Sequence, residues 1–128
     1  MMMLAALGLA IAATATATPA QAEPVNHNWT WKTSYSHHNL GWGSYDKGSH
    51  TISVDDREQD GHSLYVLFDG PGFNNFQCWD TGGAVGPGGG CTVPKKLQGY
   101  AVDVYLCTGE WSSKDEIDCS GRKDYLYA

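Results

Sequence analysis

The sequence predicts an all-β domain: a small antiparallel β-sandwich, with a small β-barrel as the alternative, stapled by two disulfides. Three observations carry this. Apolar residues in the second half recur at every other position, the period of a strand rather than a helix. Glycine, 16 residues of it, acts with Pro, Asn and Asp to cut the chain into short runs. Four cysteines, Cys78, Cys91, Cys107 and Cys119, are an even count in a short chain and read as a disulfide framework.

Residues 1–22 carry no charged side chain. The apolar run Met3 to Ala12 is shorter than the roughly 20 residues a bilayer needs. Small residues follow and end Ala20-Gln21-Ala22, a small-x-small cleavage pattern, although a basic start is missing. The expectation is a signal peptide over 1–22 and a single secreted, extracellular β domain over 23–128. No second stretch is long and apolar enough for a membrane helix, so no membrane contact is expected once the leader is cut.

Trp29-Thr30-Trp31 opens the domain, with both rings on one face of a strand. Residues 34–49 read as irregular. In Thr51-Ile52-Ser53-Val54 the two aliphatic residues point inward, and Asp55 to Gly61 is a charged turn. Ser63 to Phe68 places Leu64, Val66 and Phe68 on one face. Tyr65 and Leu67 lie on the other, so this strand is expected to be covered on both sides. Phe76 to Trp79 is a short strand, and the glycine-rich run from Asp80 to Gly90 is a loop pinned by Cys91. Gln98 to Cys107 alternates Val102, Val104 and Leu106 with Asp103 and Tyr105. An acidic loop from Thr108 to Asp118 then leads to Asp124–Tyr127, making a hairpin clamped at its base by cysteine. Trp29, Val54, Val66 and Val104 are expected in the core.

Four cysteines allow three pairings. The sequential one, Cys78–Cys91 and Cys107–Cys119, is preferred because each closes a short loop rich in turn formers. No C-x-x-C occurs, which argues against zinc.

The net charge of -6 repels phosphate backbones, and nucleic acid is not an expected partner. No H-E-x-x-H, G-x-S-x-G or phosphate-binding loop occurs. His37-His38 are adjacent and would face opposite ways on a strand. Asp55, Asp56, Glu58 and Asp60 crowd together but fail the calcium-loop pattern, leaving calcium binding at 55–60 open. No catalytic residue, metal or cofactor is expected. Asn28-Trp29-Thr30 matches a glycosylation sequon.

Aromatics are the suggestive class, with 5 Trp and 7 Tyr. Most must serve the core. Trp42 and Tyr45, in a polar glycine-rich stretch, and Trp111, in an acidic loop, are the candidate contact residues, since exposed rings are what binding sites use. The leading expectation is a monomeric, non-enzymatic extracellular module for a protein or carbohydrate. The alternatives are a small extracellular hydrolase pairing His with a carboxylate, a secreted enzyme inhibitor, and a self-associating surface protein.

The leader, the Asn28-Trp29-Thr30-Trp31 block, Asp60-Gly61-His62-Ser63, the Val102, Val104, Cys107 strand, Cys119 and the Tyr127-Ala128 end together resemble small secreted actinobacterial proteins of unassigned function. That resemblance implies an all-β extracellular domain with local disulfides and no catalytic residues. A weaker similarity is to the two-disulfide β-sandwich inhibitors of α-amylase, whose Trp-Arg-Tyr turn is missing here.

Overall fold

Alternation of apolar side chains builds two antiparallel sheets that face one another. The computed structural model describes residues 25–32, 39–59, 61–84 and 86–128. The leader, His37, His38 and Asp60 lie outside them. Nine strands are described: β1 Asn26–Lys32, β2 Asn39–Asp46, β3 Thr51–Asp56, β4 Ser63–Asp69, β5 Phe76–Trp79, β6 Gly89–Thr92, β7 Ala101–Glu110, β8 Asp115–Cys119 and β9 Asp124–Tyr127. A 3-10 turn spans Lys95–Leu97. Among the described residues no helix is long and apolar enough to cross a membrane.

The first sheet runs β1-β2-β3-β6, the second β5-β4-β7-β8, and β9 also pairs with β7. β7 is long enough to hold two partners on one side. Its first half, Ala101 to Val104, pairs with β9, and its second half, Cys107 to Glu110, with β8. The inward residues are those the alternation selects: Ile52 and Val54, then Leu64, Val66 and Phe68, then Val102, Val104 and Leu106. Trp29 is buried among them and Trp31 packs at their margin.

Both disulfides are sequential and do different work. Cys78–Cys91 joins β5 to β6, and so one sheet to the other; Cys107–Cys119 joins directly opposed residues within one sheet. On the opposite margin of the sandwich the sheets are tied by polar groups. His27 Nδ1 and Trp29 Nε1 on β1 meet Asp124 Oδ2 on β9 at 2.7 and 2.9 Å.

Three segments differ from expectation. The stretch 34–49, expected to be irregular, holds β2, whose Gly41 and Gly43 face the core and leave no apolar signal. A Cβ at Gly43 would stand 2.7 Å from Val66 Cγ2 and 3.1 Å from Leu106 Cδ2, so the bare backbone admits those side chains. The glycine-rich run ends in β6, paired with β3. The acidic loop is itself a hairpin, β7 to β8, so β9 is a further strand rather than the hairpin's second arm. β8 shows no apolar period because Asp115 to Asp118 are exposed on both faces of the strand.

Candidate functional site

The face of the second sheet turned away from the core carries rings where a solvated sheet face carries polar residues. Alternation puts Tyr65 and Leu67 of β4, Trp79 of β5, Tyr105 and Cys107 of β7, and Cys119 of β8 in one cluster there. Tyr125 and Tyr127 of β9 pair with Asp103 and Ala101, which share that face with Tyr105. They are 55% and 58% exposed.

At one end three rings lie in contact, two of them stacked and the third tilted. Tyr65 and Trp79 lie 4.1 Å apart at 21°. Trp111, 43% exposed at the β7–β8 turn, lies 5.6 Å from Trp79. Lys114 Nζ sits 3.2 Å from the centre of the Trp111 ring, a cation–π contact, and donates to the Trp111 carbonyl at 3.2 Å. Trp79 Nε1 donates to Gln77 Oε1 at 2.9 Å, which fixes the ring's orientation. The turn closes through Lys114 N donating to the Glu110 carbonyl at 2.7 Å. Burial, with the nearby Glu116 carboxylate adding to it, pushes the Tyr65 hydroxyl up to about 12. At the other end Tyr125 and Tyr127 meet edge to face at 6.2 Å.

The three rings expected as contacts are not brought together. Tyr45 is core, at 0% exposure. Strand β2 turns it inward, where its ring meets Phe68 edge-on at 5.3 Å and its hydroxyl meets His50 Nδ1 at 3.1 Å. Trp42, half-buried, points outward from the first sheet beside Thr30 and Asp55. Trp111 belongs to the far side of the sandwich. The residues sequence reasoning passed over are Trp79, Tyr125 and Tyr127. Their signal was present in alternation, Tyr65 with Leu67 and Tyr125 with Tyr127, but it does not say whether a strand's second face is covered.

Among the described residues two histidines meet carboxylates. His62 Nδ1 lies 2.6 Å from Glu110 Oε1, next to the Trp111 turn. The His27–Asp124 pair bridges the sheets, and Asp124 is held below the usual carboxylate range. Burial opposes that shift; the hydrogen bonds from Trp29, His27 and the Tyr125 amide outweigh it.

In the acidic segment, Asp55 pairs with Arg57 at 2.9 Å and Asp56 Oδ1 accepts the Glu58 amide at 3.0 Å. Buried Asp80 accepts the Asp56 amide at 2.8 Å and the Gly82 amide at 3.0 Å, fastening β3 to the glycine-rich run. Among the described residues, the grouping with metal-ligand geometry is Cys107, Glu116 and Cys119, whose sulfurs are already bonded to each other.

A pocket of about 340 Å³ opens at the end of the sandwich away from Trp111, lined by Pro71, Gly72, Lys96, Leu97 and Tyr100. Comparison with protein-family models, curated proteins and solved structures found no match for this chain.

Proposed function

We propose that the protein is an extracellular binding module, without catalysis of its own, that holds a glycan chain across the outer face of its second sheet. One observation carries this: Trp111, Tyr125 and Tyr127 stand exposed on one face, and Trp111 is backed by the buried stack of Trp79 and Tyr65. Flat rings offer an apolar surface to the C–H face of a sugar, and a preset ring loses little freedom on binding. Both disulfides fit an oxidising, extracellular setting.

Immobilised-polysaccharide affinity electrophoresis tests the reading. Trp111→Ala and a Tyr125→Ala/Tyr127→Ala pair are expected to lower glycan affinity about tenfold or more each, as hot-spot rings do, with the melting temperature nearly unchanged. Retardation on every gel that is indifferent to these three rings would end the proposal.

The alternative is a small hydrolase, favoured by the His62–Glu110 contact at 2.6 Å. Release of reducing ends that disappears in His62→Ala would replace the binding reading with that one.

A further inference from the structure

We infer that the pocket lined by Lys96 and Tyr100 is the terminal subsite for an acidic sugar, a hexuronate ring at the end of the bound chain. The inference rests on the glycan reading above and names the chemistry of the ligand's end.

Size comes first. At about 340 Å³ the pocket lies at the low end of small-molecule sites, which run about 300–1,000 Å³, so it takes one ring rather than a run of them. Shape comes second. Pro71, Leu97 and Tyr100 supply apolar walls, and Tyr100 is 55% exposed with its ring available for stacking. Gly72 leaves bare backbone in the lining; a Cβ there would stand 3.4 Å from Leu97 Cδ2 and narrow the space.

Charge decides the class. Lys96 is the charged side chain of the lining, Lys95 adjoins it on the same turn, and both stand in a protein of net charge -6. Lys96 is exposed, so its ammonium stands at the rim of the apolar walls, where it selects an anion. Apolar walls that suit a pyranose select one carried on a sugar ring.

Position agrees. The Tyr100 carbonyl accepts the Ala128 amide at 2.9 Å, and Ala101 is the β-partner of Tyr127. The pocket therefore adjoins the Tyr127 end of the aromatic face. Lys47 reaches the same end, 6.0 Å from the centre of the Tyr127 ring and bonded to the Tyr127 carbonyl. The nearby Asp46 carboxylate is engaged in its own turn, accepting the Gly48 amide at 2.9 Å.

The test is amide-shift titration of the full, oxidised chain with trigalacturonate and with its neutral methyl ester. Trigalacturonate is expected to move the Gly72, Leu97 and Tyr100 amides and to bind about tenfold tighter than the ester. Lys96→Gln is expected to bring the two to the same affinity, while Lys32→Gln, a cation on β1, leaves the difference intact. Equal affinity for acid and ester, an indifferent Lys96→Gln, or shifts that avoid the pocket would each overturn the inference. Ester and acid binding alike through Tyr125 and Tyr127 would sink the pocket and leave the face standing. Pocket shifts that persist without any contribution from those rings would do the reverse.

Discussion

The Trp79 ring lies across Gly109. A Cβ at Gly109 would stand 2.9 Å from Trp79 Cη2 and 2.5 Å from the Asp115 carbonyl oxygen. The glycine is a gap in β7 that receives the ring from two strands away, and the Tyr65 ring shares the space at 3.3 Å. The first sheet repeats the device on the opposite face. Trp29 is the β-partner of Gly43, with its Cε3 atom 3.5 Å from where a Cβ would be. In each sheet a glycine that weakens its own strand is covered by an indole.

Filling the first gap should loosen the ring stack. Gly109→Ala is expected to destabilise the domain by about 1–3 kcal/mol, the usual cost of overpacking. The same change should displace Trp111, which rests on Trp79. Denaturant unfolding followed by tryptophan fluorescence measures both effects. A variant as stable as the parent with an unaltered spectrum would mean that the β7–β8 hairpin yields freely.

The two disulfides should differ in reach rather than in loop size, since their separations are 13 and 12 residues. Each loop is worth about 3 kcal/mol on the chain-entropy account. Removing Cys78–Cys91 as a double Ala variant frees one sheet from the other at β5 and β6, so amide protection should fall across the core. Removing Cys107–Cys119 frees β8, whose Asp115 to Asp118 are all exposed, so protection should fall there and at the Trp111 turn. Hydrogen exchange separates the two patterns. Identical protection maps would contradict the assignment.

Acid should attack the margin where β1 meets β9. Asp124 has its folded-state pKa lowered below 3.8, so its contribution is present above the unfolded value and is lost as pH falls through the folded one. Stability is expected to drop below about pH 4 by a step that Asp124→Asn lacks. Melting temperatures from pH 6 to pH 2 for both proteins provide the check. Parallel curves would remove Asp124 from the account.

Alkali should act at the opposite face. Tyr65 is raised from 10.0 to about 12. The neutral form is favoured in the folded state, so its contribution is complete below pH 10 and declines as pH rises toward 12. Tyr65→Phe is expected to flatten the fall in melting temperature between those limits. Phenolate absorbance should show late titration by Tyr65 and by Tyr45, whose hydroxyl burial also raises, and the variant should lose one of the two.

Much of the fold was legible because burial leaves a period of two. Ile52 and Val54, then Leu64, Val66 and Phe68, then Val102, Val104 and Leu106 each announce a strand and an inward face, and the structure places these eight in the core. Strand β2 was not legible, because Gly41 and Gly43 carry no side chain to alternate and the side chains that cover them, Leu64 over one and Val66, Leu106 and Trp29 over the other, lie elsewhere in sequence. β6 and β8 were hidden for a related reason. Glycines and carboxylates become strands there only because β3 and β7 present ladders to pair with.

The site divides in the same way. Tyr45 and Trp111 both occupy polar surroundings in sequence, yet the register of β2 seals one in the core and the other stands on a turn outside any strand. By itself, the chain determined its class and the inward faces of its alternating strands, and it favoured one disulfide pairing of three through short loops, because these follow from near neighbours. Which rings share a surface, and that Lys96 and Tyr100 line one pocket, was decided by tertiary pairing, because those relations join strands far apart in sequence.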